Sequence, residues 1–264
     1  MNRRQFLSLG LAGLAGALTG ACALSTPGSP LRRPTTVPAT FPVVATPQPT
    51  GTLGASVFED VPPGTILGNE DTPGFYVRFI TNFAALDPGR WQLVIKGLVD
   101  VPTTLTLNHI QSYLPFVEQS TRMKCVECWS SRALWGGFTY SALAGLVKPQ
   151  QQAVYVRYTC EDGYYEILPI GELQRERALF VTHMDGRFLS PQHGAPLRMI
   201  LPWLYGYKGA KTINTLEFTA EPGEGYWPTF GSYPADGRIL PGIDTPIDLT
   251  YRPRPISGGE ITDY

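Results

Sequence analysis

Charge, histidine and paired metal ligands are scarce in this 264-residue chain. Charged residues make up 16%, and Lys+Arg 21 against Asp+Glu 22 leaves a formal net charge of −1. Such a balance provides no basic field for a polyanion, so nothing points to a nucleic-acid partner. The three histidines, His109, His183 and His193, form no close pair, and Cys160 stands apart from Cys125 and Cys128. A zinc site needs clustered ligands, and the spacing here does not offer them. No C-x-x-C-H run is present to attach a haem. What the chain does have is 43% hydrophobic residues, enough for a sizeable core. With 28 Gly, 25 Pro and 11% aromatics, it reads as a soluble strand-and-turn architecture.

The N-terminus pairs Arg3 and Arg4 directly before an apolar run, 6–24, that is rich in Gly and Ala. Paired arginines followed by Phe6 and Leu7 match a twin-arginine export signal over 1–24. So weakly apolar a run argues against a permanent membrane span. Cys22 has two readings, an acylated first residue of a mature lipoprotein or a small residue of an Ala21-Cys22-Ala23 cleavage site. Residues 25–56 are dominated by Pro and Thr and cannot bury enough apolar surface to offset chain entropy, so they are expected to form a disordered, extended tether.

A single domain is expected over 57–264. Runs of β-branched and aromatic residues bounded by Gly, Pro, Asn or Asp predict strands at 75–80, 91–95, 154–158, 164–168, 180–183 and 212–218. Short helices are predicted at 107–114 and 140–147. Strands with a few interspersed helices predict an α+β fold rather than a doubly wound parallel sheet.

The chemistry concentrates in two stretches. Arg122, Met123, Lys124, Cys125, Val126, Glu127, Cys128, Trp129 and Ser130 set a thiol among two cations and an indole, with Trp135, Gly136, Gly137 and Phe138 downstream. A thiolate is a soft donor suited to a soft or high-valent metal. Read alone, Cys125 and Cys128 also fit a redox disulfide, and a buried Cys125 would fit plain packing. The second stretch runs His193, Gly194, Ala195, Pro196, Leu197, Arg198, then Pro202 and Trp203, then Tyr205 to Lys211. Read alone, Arg198 is more often a surface ion-pair residue; a forked cation and backbone N–H groups beside small residues also suit an anion.

Together these stretches resemble the sulfite oxidase-like molybdopterin oxidoreductases, and in particular the exported branch that includes the catalytic subunit of periplasmic methionine sulfoxide reductase. The resemblance spans about 75–242 and implies a β-rich α+β core holding molybdenum on molybdopterin. It implies that Cys125 ligates the metal, and that His193, Arg198, Gly209, Ala210 and Lys211 hold the cofactor. Thr159 falls where the family places a pterin contact, with an ordinary strand Thr as the other reading. Thr81 and Asn82 align with a cofactor-binding loop in which Ala84 and Ala85 replace the relatives' Tyr-Glu. His193 stands where the reductase branch commonly has Asn and other sulfite oxidase relatives have His. Glu127 is a candidate proton relay, or else a salt-bridge partner of Arg122 or Arg132. Tyr233, in an aromatic run at 225–238, is a candidate polar group near the metal.

The haem-binding and immunoglobulin-like modules of longer sulfite oxidases are not matched, so a monomer with one cofactor is expected. Its electrons would pass to or from a membrane or soluble cytochrome. The expected reaction is two-electron oxygen-atom transfer on a small substrate, sulfoxide reduction or sulfite-type oxidation. For sulfite, Arg132, Arg187 and Arg238 are available cations. Two other readings stay open, a thiol–disulfide oxidoreductase using Cys125 and Cys128, and a tethered binding lipoprotein without catalysis.

Overall fold

The computed structural model describes residues 67–68, 75–77, 80, 86–126, 129–230, 233–240, 242–244 and 252–255, all within one compact unit. The export signal and the tether lie outside these residues, as do Thr81, Asn82, Glu127 and Cys128. In chain order the elements begin with the ribbon β1 (Leu67–Gly68) and β2 (Tyr76–Val77), then β3 (Gln92–Gly97) and β4 (Thr103–Thr106). Helix α1 (Leu107–Tyr113) leads to β5 (Val117–Lys124) and β6 (Ser130–Phe138), and α2 (Tyr140–Val147) to β7 (Tyr155–Cys160) and β8 (Tyr165–Pro169). After the short α3 (Ile170–Leu173) come β9 (Leu179–Met184), β10 (Arg187–Phe188), β11 (Arg198–Ile200) and β12 (Ile213–Thr219), and the ribbon β13 (Ile243–Asp244) with β14 (Arg254–Pro255).

Two sheets organise the molecule. One runs β10-β9-β6-β5 with β11 also on β9, and the other runs β4-β3-β12-β7-β8. Pairing within them is antiparallel except between β3 and β12, which lie parallel. This is the α+β, strand-rich architecture that the sequence predicts.

Both predicted helices form, and each starts on a threonine. The Thr106 side chain accepts from the His109 backbone N–H while His109 Nδ1 faces the Thr106 backbone, a reciprocal cap; Thr139 accepts from Ala142. A cap of this kind is worth about 1 kcal/mol, which matters for helices of two turns. Lys148 stops α2 in the left-handed region. Helix α2 buries Leu143 and Val147 completely against the second sheet's core, alongside Val156, Tyr158, Leu216 and Phe218.

Strand β9, LFVTHM, is buried along its whole length, the polar Thr182 and His183 included. Leu179 and Val181 face a cluster with Phe75, Ala133 and Trp135, whereas Phe180 faces the larger core. Of the two glycines in the W-G-G-F segment, Gly137 is required by the backbone of β9 and Gly136 by the Phe116 ring. A Cβ on Gly137 would lie 1.9 Å from the Phe180 carbonyl oxygen, and one on Gly136 2.5 Å from the Phe116 ring. Among the described residues no helix is long and apolar enough to cross a membrane.

His183 on β9 is buried between Phe116, whose ring lies edge-on at 5.1 Å, and Phe188 at 4.2 Å. Its Nδ1 shares a hydrogen bond with Thr182 at 2.8 Å, while Nε2 has no partner. Burial lowers its pKa to about 4 from 6.5. Below pH 6.5 the unfolded chain takes up a proton that the folded chain refuses, so stability falls as the pH drops toward 4. One such group removes up to about 3 kcal/mol. His183→Leu is expected to flatten the dependence of the denaturant midpoint on pH between 6.5 and 4. An unchanged slope would assign the acid sensitivity elsewhere.

Candidate active site

Strand β5 ends at Lys124, and the Cys125 backbone N–H donates to the Trp129 carbonyl at 2.9 Å, closing the turn into β6. A parallel bridge between Lys124 and Tyr205 pins this turn to the loop before β12. Alternation along the strand sends Met123 and Cys125 to one side, where both line a cavity, and buries Arg122 and Lys124 on the other. Cys125 is half-buried.

The opposite wall is cationic. Ser190 caps the 3-10 turn Pro191–His193, and Gly194 follows at φ +99°, where a Cβ would lie 2.8 Å from Lys211 Cβ. That close approach brings Lys211 against the turn, with Nζ 3.4 Å from the Gln192 carbonyl. Arg198 opens β11. Its Nη1 donates to the His193 carbonyl at 3.0 Å, its Nη2 meets the Met123 sulfur at 3.3 Å, and its Nε is buried with no hydrogen-bond partner.

Burial lowers the Arg198 pKa to about 10, and burial together with Arg198 lowers Lys211 to about 7. Burial, with both cations beside it, takes His193 down to about 3. Such crowding of positive groups out of water is unfavourable until an anion arrives. Between the walls, Gly209 and Ala210 bring backbone to the cavity surface. No side chain would fit at Gly209, because a Cβ there would lie 2.7 Å from the Met199 carbonyl oxygen.

Asp162 and Tyr164, from the β7–β8 hairpin, form a third side. Asp162 Oδ1 accepts from the Tyr164 backbone at 3.0 Å, and burial raises its pKa. The rest is aromatic. Phe75 packs edge-on against Trp129 and His193, while Trp227 and Tyr207 stand 5.0 and 5.2 Å from Tyr233. Including its open mouth the cavity encloses about 910 Å³.

Seven residues expected from the sequence therefore line one cavity: Cys125, His193, Arg198, Gly209, Ala210, Lys211 and Tyr233. Thr159 does not. It is exposed on β7, between the buried Tyr158 and Cys160, because alternate residues of a strand face opposite ways. The chain reaches the cavity two residues beyond the strand's end, at Asp162, which the sequence did not single out, nor Tyr164 or Gln192; Trp227 belongs to the aromatic run at 225–238. An acidic residue before Gly163 in a tight turn was the available signal. Arg132, Arg187 and Arg238 do not line the cavity; the last pairs with Glu172.

Among the described residues no three of His, Cys, Asp and Glu gather to cage a metal. The donors present fit a molybdenum held chiefly by its own pterin. A thiol lies on one side, a cationic wall whose Arg198 Nε is buried without a hydrogen-bond partner on another, and the Asp162 carboxylate on the third.

Comparison with known proteins agrees. Residues 81–227 match the family described as "Oxidoreductase molybdopterin binding domain". The chain is 30% identical over 175 residues to the protein-methionine-sulfoxide reductase catalytic subunit of Campylobacter jejuni, covering 59% of each. It is 31% identical over 197 residues to that of Pseudomonas syringae, covering 67% of this chain and 58% of the relative. It thus spans under three fifths of the length of these curated relatives. The sulfane dehydrogenase SoxCD from Paracoccus pantotrophus shares the fold at a TM-score of 0.52 and 16% identity, over 55% of this chain and 42% of that one. The chain belongs to the sulfite oxidase-like molybdopterin-binding oxidoreductases, close to the methionine sulfoxide reductase branch.

Proposed function

We propose that this chain is an exported mononuclear molybdenum oxidoreductase that reduces small sulfoxides, drawing two electrons from a separate cytochrome. The observation that carries the reading is a single cavity with the Cys125 thiol on one wall and Arg198 and Lys211 on another. When bound, the cofactor supplies the two-electron redox and oxygen-atom chemistry. The Cys125 thiolate ligates the metal. Arg198 and Lys211 would hold the cofactor's phosphate with the backbone of Gly209 and Ala210, and Asp162 would accept hydrogen bonds from its pterin.

Reducing a sulfoxide to a thioether and water consumes two electrons and two protons. The protons need carriers; Tyr233, at the cavity, is assigned that task, with Glu127 as the second candidate from the sequence. Trp129, Trp227 and Tyr207 give the mouth an apolar surface that excludes water and suits a neutral sulfoxide carrying hydrocarbon. Sulfite is a dianion, and the three arginines that would have served it are elsewhere. The paired Arg3 and Arg4 direct the folded, loaded protein outward.

The test is turnover of protein purified from a molybdenum-competent host. Reduced viologen is expected to be oxidised in the presence of methionine sulfoxide or dimethyl sulfoxide. Sulfite with a ferric cytochrome acceptor should give kcat/KM at least ~10-fold lower, the scale of one unmatched charged contact. Faster sulfite oxidation, or no sulfoxide reduction, would overturn the assignment.

A further inference from the structure

Behind the cavity wall lies a pair of charges that the proposed reaction does not use. Lys208 Nζ donates to Glu166 Oε1 at 2.6 Å, and the two side chains are 1% and 0% exposed. Desolvating two ions offsets most of their attraction, so a buried pair seldom stabilises a fold more than apolar residues of the same shape would. Its purpose is better sought in the geometry it enforces.

The surroundings show which geometry that is. Lys208 Nζ also donates to the Ala235 carbonyl at 2.8 Å. A Cβ on Gly225 would lie 2.1 Å from Glu166 Oε1, and one on Gly237, at φ +62°, would lie 2.2 Å from Lys208 Cγ. Glycine is thus demanded at both places where the C-terminal run crosses the pair. Further ties hold the same run. The Tyr205 backbone N–H donates to the Gly237 carbonyl at 2.8 Å, and the Tyr207 hydroxyl donates to the Pro234 carbonyl. The Tyr164 hydroxyl lies 3.3 Å from Glu166 Oε2 and also meets the Tyr207 carbonyl, linking the pair to the cavity lining. Within this anchored run stand Trp227 and Tyr233, both at the cavity.

We propose that Glu166 and Lys208 are positioning residues: their buried pair anchors the strap formed by 225–230 and 233–237, and so sets how Trp227 and Tyr233 admit a substrate. The kinetic half of this inference rests on the sulfoxide-reductase reading; the structural half does not. Accordingly, amide hydrogen exchange is measured first, on the loaded protein without substrate, in wild type, Lys208→Met and the double variant Lys208→Met/Glu166→Leu. The double variant removes both charges, so it folds even where the single variant, left with a buried carboxylate, fails.

Exchange at the Tyr205 and Gly237 amides is expected to accelerate by ~10-fold or more, as for a locally released segment, while the amides of β9 keep their protection. With methionine sulfoxide, KM is expected to rise ~10-fold with kcat within about twofold, the mark of lost substrate positioning rather than lost chemistry. An unchanged strap in the double variant would overturn the proposal. So would equal acceleration in β9, which would mean a merely structural pair. A fall in kcat at constant KM would do the same. Should no sulfoxide be turned over, the exchange result still decides whether the pair holds the strap.

Discussion

Cys125→Ser is expected to give soluble, folded protein that retains pterin but has lost most of its molybdenum and at least ~10³-fold of its turnover, about 4 kcal/mol of transition-state stabilisation. The change removes one atom's identity and little volume. Cys125 is half-buried at the end of β5, where the backbone bond from its N–H to Trp129 holds the turn whichever side chain is present. What is lost is the soft thiolate, because a serine hydroxyl stays protonated at neutral pH and offers a hard donor in its place. The cationic wall of Arg198 and Lys211 is untouched, so pterin and metal contents should separate. Elemental analysis beside acid-released pterin fluorescence reads both. Equal molybdenum in the variant and the wild type would defeat the ligand assignment, and loss of both together would show that Cys125 supports the fold.

The second large effect is structural. Gly137→Val is expected to abolish soluble expression, or to lower stability by at least ~4 kcal/mol, in the class of severe overpacking and backbone displacement. The added Cβ alone would sit 1.9 Å from the Phe180 carbonyl oxygen and 2.8 Å from Val181 Cα. Neither can retreat easily, since β9 is buried from end to end and paired on both sides. Gly145→Ala is the contrast. It lies inside α2 with nothing within 4 Å of the new carbon. There the substitution should raise stability by about 0.5–1 kcal/mol through helix propensity. Thermal midpoints of the two variants measured side by side check the argument; similar values would remove the close-approach explanation of the two-glycine motif.

How much of this was legible beforehand depended on the element. The helices at Leu107–Tyr113 and Tyr140–Val147 could be read because each begins at a threonine and then keeps one apolar face. Strands β3, β7, β8, β9 and β12 were visible through their β-branched and aromatic content. Strands β5 and β6 were not. The first is VEQSTRMK, largely polar on its exposed half, and the second is interrupted by Gly136 and Gly137. Their residues looked like chemistry alone, and only the pairing of β6 with β9 shows that the same letters also carry a close backbone contact.

At the site, residues gathered in a contiguous stretch, such as Gly209 to Lys211, were readable. Those brought in by strand parity or by a distant turn were not. Thr159 lies off the described cavity because one step along a strand reverses the face, and Asp162 was hard to read because it belongs to a turn.

The parallel pairing of β3 with β12 joins Val94 to Thr215 and Gly97 to Phe218. The earliest long strand of the second sheet therefore has no partner on that edge until residues 213–219 have left the ribosome. The cavity walls come from segments just as widely separated, at Phe75, Cys125, Arg198 and Trp227. A nascent or truncated polypeptide that stops short of residue 213 has neither a closed sheet nor a complete pocket. The surface that would enclose the prosthetic group is therefore completed late, by segments beyond residue 213.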